Sequence, residues 1–330
     1  MQFLTEPTLP VALIEIALGV VLLAYAADFF VDGAARVASK ANVSPVLIGA
    51  VVVGFGTSAP ELLVSGIAAA GGNPTLGVGN VVGSNVANLS LVLGSAALIV
   101  PVLVTRPVLK REAPLSLASV ILFAILTFFG GLSTVDGVIL GVALLGALGW
   151  VIIGGRSADG DGEVIDTALS TEIGRTAIGL VGTVIGAQLL VYGAEAVAER
   201  FGLSGGFIGF TLLAVGTSLP ELVAGIAAAR RGATELLLGN LLGSNLFNSL
   251  AVGSVIGLVS SGSMSDDGLR MVGLPVMVVV ATGAWIAMTT LKRVDRHEGM
   301  LLLAAWLVAV ILLARFSEDA EVVQGVLRGF

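Results

Sequence analysis

The chain has 330 residues, of which 56% are hydrophobic and 12% charged, with a mean hydropathy of +1.04 and a formal net charge of −7. Soluble domains carry about 25% charged residues, so this composition excludes an ordinary soluble domain and points to an integral membrane protein. There is no cysteine, which excludes disulfides and thiolate metal sites. The single histidine, His297, falls in a charged stretch between apolar runs and is expected to be a loop residue.

Ten spanning helices are predicted, near residues 10–38, 45–70, 74–101, 113–130, 134–154, 173–200, 204–229, 233–260, 270–291 and 299–316. Each run is about the 20 residues a helix needs to cross the hydrocarbon core, whereas barrel strands would alternate over short stretches. The 45 glycines suit closely packed membrane helices. No basic residue precedes the first apolar run, so a cleaved signal peptide is not expected. Asp28, Asp32 and Arg36 are spaced to pair along one face of the first helix, and Glu195 and Glu199 lie near the end of the sixth. All five are expected to be structural or entrance residues, and Glu15 receives no role.

Between the fifth and sixth segments, 156–172 is polar and acidic, a short solvated linker. It divides the chain into a first repeat, 1–155, and a second, 173–330. Five segments per half is odd, so the second half must enter the membrane from the opposite side. Loops after the odd-numbered segments and the linker hold twelve of the sixteen Lys and Arg residues, which places that side in the cytosol and both termini outside the plasma membrane. The fold expected is therefore an all-α polytopic membrane protein of two inverted five-helix repeats.

The repeats share one polar pattern. Gly56-Thr57-Ser58-Ala59-Pro60-Glu61 recurs as Gly216-Thr217-Ser218-Leu219-Pro220-Glu221, and Gly79-Asn80-Val81-Val82-Gly83-Ser84-Asn85-Val86-Ala87-Asn88 recurs as Gly239-Asn240-Leu241-Leu242-Gly243-Ser244-Asn245-Leu246-Phe247-Asn248. Every matched position is 160 residues from its twin, without a gap from Gly33 to Asn88. Polar residues at the centre of apolar segments are costly in lipid, and a duplicated set argues for one site built from two halves. Pro60 and Pro220 have no N–H, so the carbonyls of Gly56 and Gly216 lose their helical donors and the helices should break there. Glu61 and Glu221 place a carboxylate beside each break, and Thr57, Ser58, Thr217 and Ser218 add hydroxyls. Ser84 with Asn88, and Ser244 with Asn248, are one turn apart and can offer a hydroxyl and an amide oxygen to one point. These hard oxygens suit Na⁺, Ca²⁺ or Mg²⁺. Asn80, Asn85, Asn240 and Asn245 are expected to hold the broken helices together.

The two motif pairs resemble the α-repeats of the cation/calcium exchanger superfamily, most closely its prokaryotic sodium/calcium exchanger type, over essentially the whole chain. The resemblance implies a secondary-active antiporter in which Na⁺ and Ca²⁺ compete for a midplane site under alternating access. It implies that Glu61 and Glu221 are the central ligands, joined by Thr57, Ser58, Thr217, Ser218, Ser84, Ser244, Asn88 and the carbonyls of Gly54 and Ala214. Asn248 stands where several relatives carry Asp, which removes a third carboxylate. The ions are substrates, no cofactor or nucleic-acid partner is implied, and a monomer in the lipid bilayer is expected. The histidine-bearing motif of the proton/calcium branch is absent, yet a proton-coupled or Mg²⁺-transporting carrier is the alternative to test. A channel would place several sites in file, and an intramembrane hydrolase would need a nucleophile–base pair or a catalytic metal.

The charge asymmetry generates a topology test. Cysteines introduced at Ser157 and Ser317 should react with impermeant reagents from opposite sides of the membrane, and labelling of both from one side would exclude an inverted second half.

Overall fold

The computed structural model describes residues 8–40, 57–106, 108–155, 168–230, 232–260, 264 and 266–316, together with most of their side chains. Residues 45–56 of the second predicted segment, most of the linker, both chain ends, and the side chains of Asp28 and Asp32 lie outside the described set. The described helices fall on the predicted segments. They are α1 (Leu9–Lys40), α2 (Ala59–Ala70), α3 (Pro74–Ile99), α4 (Val108–Phe128), α5 (Thr134–Gly155), α6 (Leu169–Phe201), α7 (Gly205–Thr217), α8 (Leu219–Arg230), α9 (Thr234–Val259), α10 (Leu269–Thr290) and α11 (Arg296–Phe316). Among the described residues five helices are long and apolar enough to cross a membrane, and α7 with α8 forms a sixth, bent by 46° at its break. The protein is an all-α membrane protein.

Burial sorts the helices as lipid demands. The apolar windows of α3 and α9 are 78% and 72% buried, whereas those of α4, α10 and α11 are mostly uncovered. Leu145, Val279 and Leu301 each expose about 70% of their surface. Such patches would be a liability in water and are the natural outer face of a helix in hydrocarbon.

Glycine sets the distances between helices, since lipid offers no hydrophobic drive for them to associate. Between α1 and α6, an added Cβ at Gly19 would meet the backbone of Leu190 and Gly186, one at Gly193 that of Ala12, and one at Gly33 that of Thr176, all within 3 Å. Residue numbers rise along α1 as they fall along α6, so the two helices are antiparallel. Between α3 and α7 the numbers rise together. A Cβ on Gly79 would lie 2.6 Å from the Gly206 carbonyl, and one on Gly83 would lie 2.5 Å from Ala214 Cβ. Phe210 of α7 then stacks on Trp306 of α11 with ring centroids 5.6 Å apart.

Three local features depart from the sequence expectation. Asn88–Val92 and Asn248–Val252 are π-helical turns, again 160 residues apart, at the centre of the two most buried helices. Further π turns at Val108–Glu112 and Leu269–Gly273 precede Pro114 and Pro275. The wider turn accommodates the hydrogen bond that each proline removes, so α4 begins in the charged run Lys110-Arg111-Glu112 that reads as loop. Likewise α11 begins at Arg296, with His297 exposed in its first turn, because Asp295 and Glu298 cap it: Asp295 N–H donates to Glu298 Oε2 at 3.0 Å and Gly299 N–H to the Asp295 carbonyl at 2.8 Å. Finally, β1 (Val102–Leu103) and β2 (Arg293–Val294) pair antiparallel, Val102 against Val294 and Leu103 against Arg293. Two residues are too few for alternation to be seen in a sequence.

The glycine contacts predict an asymmetric cost. Gly83→Ala should destabilise the protein by about 1–3 kcal/mol, as overpacking does, and so lower its thermal midpoint in detergent. Gly283→Ala, at an exposed helical position with nothing within 4 Å among the described residues, should be neutral or slightly stabilising. Equal midpoints would contradict the close approach of α3 and α7.

Candidate cation site

Ser58, ahead of α2, and Ser218, at the break between α7 and α8, are built alike. Ser58 has φ −85° and ψ 3°, Ser218 has φ −84° and ψ 6°. After each serine a helix starts with the proline in its first turn, where a missing N–H costs nothing. Leu62 N–H then donates to the Ser58 carbonyl and Leu222 N–H to the Ser218 carbonyl, both at 3.0 Å. Glu61 and Glu221 are therefore first-turn residues of α2 and α8, where the positive end of the helix favours a negative charge. Each carboxylate also accepts from its own backbone N–H. Both glutamates are fully buried.

Each carboxylate is dressed by hydroxyls from both halves of the chain. Ser218 Oγ donates to Glu61 Oε1 at 3.2 Å, with Thr217 and Ser84 also in reach of that carboxylate. Ser244 Oγ donates to Glu221 Oε1 at 3.4 Å, with Thr57 in reach. The threonines are exchanged reciprocally. Thr57 Oγ1 donates to Asn240 Oδ1 at 3.1 Å and lies 3.0 Å from Ser244 Oγ. Its twin Thr217 Oγ1 donates to Asn80 Oδ1 at 3.2 Å and lies 3.4 Å from Ser84 Oγ. Thus α2 and its flanking residues dock on α9, while α7 and α8 dock on α3.

Proton counting gives this web its chemical character. Thr57 and Ser244 supply one hydroxyl proton each for the three contacts Thr57–Asn240, Thr57–Ser244 and Ser244–Glu221, so not all can be hydrogen bonds at once. When Thr57 donates to Asn240 and Ser244 donates to Glu221, hydroxyl lone pairs remain. Carboxylate oxygens remain too: Glu61 Oε2 and Glu221 Oε2 are buried without a hydrogen-bond partner among the described residues, as are Ser58 Oγ, Asn88 Oδ1 and Asn248 Oδ1. Buried oxygens left in this state are expensive in a low-dielectric interior. Five hard oxygen acceptors, two of them from carboxylates, are of the chemistry a hard cation takes.

Of the residues singled out from sequence, Glu61, Glu221, Thr57, Ser58, Thr217, Ser218, Ser84, Ser244, Asn88 and Asn248 are all buried, each at 3% exposure or less. Glu61, Glu221, Thr57, Thr217, Ser218, Ser84 and Ser244 join the web above, whereas Ser58 Oγ and both amide atoms of Asn248 have no hydrogen-bond partner among the described residues. Gly54 lies outside the described residues. The Ala214 carbonyl accepts from Ser218 N–H at 3.0 Å and lies 3.4 Å from Thr217 Oγ1. The four remaining asparagines cross-link helices: Asn80 Nδ2 donates to Ser65 Oγ at 3.0 Å, Asn85 Nδ2 to Ser249 Oγ at 3.0 Å, and Asn245 Nδ2 to the Asn85 carbonyl at 3.2 Å, while Asn240 accepts from Thr57. Asn88 Nδ2 is held by Asn245 Oδ1 at 3.0 Å, which fixes its oxygen as the free end. The repeat carries no signal for Ser65 and Ser249, since their twins are Gly225 and Leu89. Outside the web, Glu195 is half-buried and bonded to Asn73, and Glu15 keeps one buried oxygen without a partner among the described residues.

The sodium/calcium exchanger protein family profile matches residues 11–153 and 172–315. The chain is 30% identical over 338 residues to the sodium/calcium exchanger MaX1 of Methanosarcina acetivorans, covering 90% of this chain and 96% of that protein. It is 34% identical over 300 residues to a membrane protein of Methanocaldococcus jannaschii, covering 90% and 96%. Among solved structures it is similar to the sodium-calcium exchanger NCX_Mj soaked with Na⁺ and Sr²⁺, with a TM-score of 0.69 and 33% identity over 92% of this chain and 99% of that one. A family match over both motif-bearing halves, with full-length prokaryotic relatives, makes this chain a member of the sodium/calcium exchanger family, of the prokaryotic type.

Proposed function

We propose that the protein is a secondary-active antiporter that exchanges Na⁺ for Ca²⁺ at the site centred on Glu61 and Glu221. The observation that carries this reading is the pair of buried carboxylates, each with one oxygen unpartnered among the described residues and each wrapped by hydroxyls of both halves. Ten spanning helices in two inverted repeats, 1–155 and 173–330 joined by a short cytosolic linker, fit the antiparallel run of the twin helices α1 and α6 and the reciprocal exchange of Thr57 and Thr217. Both termini then face outward in the plasma membrane, and the protein works as a monomer. Neither an enzymatic step nor a resident cofactor enters this reading; Ca²⁺ and Na⁺ are substrates.

The chemistry follows from charge and oxygen count. One Ca²⁺ neutralises two carboxylates and takes six to eight oxygens, which Thr57, Ser58, Ser84, Asn88, Thr217, Ser218, Ser244, Asn248 and backbone carbonyls at Gly54 and Ala214 complete. Two Na⁺ neutralise the same pair, so the ions compete for one charge-balanced pocket. A loaded pocket is near neutral and can be carried past a low-dielectric barrier, whereas an empty one holds two uncompensated charges that oppose the motion. That difference enforces exchange over leak. Two halves of opposite orientation around one site supply the two equivalent ways of opening it.

The direct test is ⁴⁵Ca uptake into proteoliposomes against Na⁺, K⁺ or H⁺ gradients in turn. Na⁺ alone should drive it, and drive by H⁺ alone, or transport of Mg²⁺ in place of Ca²⁺, would overturn the assignment. Glu61→Gln and Glu221→Gln leave one negative charge for a dication, so each should reduce Na⁺-driven uptake by at least about 100-fold, using the cost of an unpaired buried charge as a guide. Yield and thermal midpoint should stay close to those of the parent, since Gln keeps the shape. Full transport by either variant would exclude the residue as a ligand.

Coupling follows from the neutral residue at 248. With two carboxylates and no third, the site requires no K⁺; exchange of only two Na⁺ for one Ca²⁺ would move no net charge, but the family resemblance implies more Na⁺ than that, which makes the cycle electrogenic. Uptake should proceed without K⁺ and respond to an imposed membrane potential. Asn248→Asp should alter cation dependence or apparent Ca²⁺ affinity while retaining transport. An absolute K⁺ requirement, or flux indifferent to potential, would refute this account of coupling.

A further inference from the structure

The β1–β2 ribbon lies at the end of the molecule where α3 and α10 finish and α4 and α11 begin. Val102 and Val294 point inward and are fully buried, and Val104 N–H extends the ladder to the Lys292 carbonyl at 2.9 Å. Leu103 and Arg293, opposite each other, are exposed. The pairing thereby ties together two loops almost 200 residues apart in sequence, and with them two groups of cations: Arg106, Lys110 and Arg111 from one, and Lys292, Arg293 and Arg296 from the other.

The local carboxylates are mostly spoken for. Glu112 is bound by Arg111, Asp295 by Arg293, and Glu298 caps the Asp295 N–H. Arg106, Lys110, Lys292 and Arg296 are exposed and have no ion-pair or hydrogen-bond partner among the described residues. The further carboxylate on elements packed against the ribbon is Glu235, exposed in the first turn of α9. Every one of the four cations lies within a few residues of the end of an apolar span, the depth of phospholipid headgroups. Beside them sit apolar side chains that face outward: Leu103 at 57% exposure, Met300 at 51% and Leu301 at 71%. Cations bordered by exposed apolar residues match a membrane interface, with phosphates at one level and acyl chains just beneath.

We propose that the ribbon end is a binding surface for anionic phospholipid headgroups of the adjoining leaflet, with Arg106, Lys110, Lys292 and Arg296 holding their phosphates. The ribbon is what makes this a site. It fixes the two loops at one spacing, so one or two headgroups can bridge α4 to α11 across the ends of α3 and α10.

The test is independent of transport. The purified protein in detergent is titrated with phosphatidylglycerol, phosphatidylcholine or inorganic phosphate, and its thermal midpoint is followed. Phosphatidylglycerol should raise the midpoint well above the effect of phosphatidylcholine, inorganic phosphate at the same concentration should do nothing, and added salt should weaken the shift. The combined variant Arg106→Gln, Lys110→Gln, Lys292→Gln, Arg296→Gln should lose most of the phosphatidylglycerol shift and keep its midpoint in phosphatidylcholine. The control Arg200→Gln, Arg315→Gln at the opposite end should keep the shift. If the combined variant does not fold, the pairs Arg106→Gln with Lys110→Gln and Lys292→Gln with Arg296→Gln should each lose part of the shift. An undiminished shift in these variants, an equal shift with phosphatidylcholine, or an equal shift with inorganic phosphate would overturn the proposal.

Discussion

Two carboxylates buried side by side in a membrane protein are the constraint on which the rest of this structure depends. In a medium of low dielectric their mutual repulsion and their lost hydration are both large, and neither Glu61 nor Glu221 has a cationic side chain beside it among the described residues. What stabilises them is a set of partial positive charges: the first turns of α2 and α8, their own N–H groups, and serine and threonine hydroxyls. That is enough to hold the groups in place and leaves one oxygen of each uncommitted. A lysine or arginine would satisfy the carboxylates permanently. Hydroxyls and helix ends satisfy them partly, which suits groups whose full counter-charge must come and go.

Placing helix ends at the middle of the protein requires broken helices, and broken helices expose backbone that lipid cannot solvate. The glycine-lined contacts answer this. Gly79 and Gly83 bring α3 against α7 at backbone distance, so the break at Ser218 is enclosed by protein. Asparagines then tie the enclosed backbone and side chains together, Asn245 to the Asn85 carbonyl and Asn80 to Ser65. The π turns beginning at Asn88 and Asn248 shift the register of α3 and α9 at the same level. Glycine, asparagine and π turn are parts of one solution to the same burial problem.

The two halves are alike in this design without being equal. Asn88 is oriented by Asn245, whereas neither amide atom of Asn248 has a hydrogen-bond partner among the described residues. Ser65 supports Asn80, but the equivalent position behind Asn240 is Gly225. The polar web is therefore firmer on one side, a difference that divergence of the repeats can introduce while the paired carboxylates keep the site's charge.

Much of this was legible in the chain itself. Twenty-residue apolar runs dictate helices because lipid leaves the backbone no other partner, and a 160-residue repeat of Gly-Thr-Ser-X-Pro-Glu marks polar groups that the two halves bring together. Proline without an N–H marks a break in the second half, where Ser218 sits between α7 and α8, and in the first half α2 starts directly after Ser58 with Pro60 in its first turn. Tertiary structure decided what no single stretch encodes. Thr57 bonds Asn240 and Thr217 bonds Asn80, so each motif is completed by the other half, and Ser65 and Ser249 enter the web although the repeat does not mark them. The two-residue ribbon also depends on a partner distant in sequence, Val102 pairing with Val294. Local pattern determines which groups must be buried, because burial follows hydrophobicity along the chain. Which groups meet is set by how whole helices pack, and that geometry exists only once both halves are folded together.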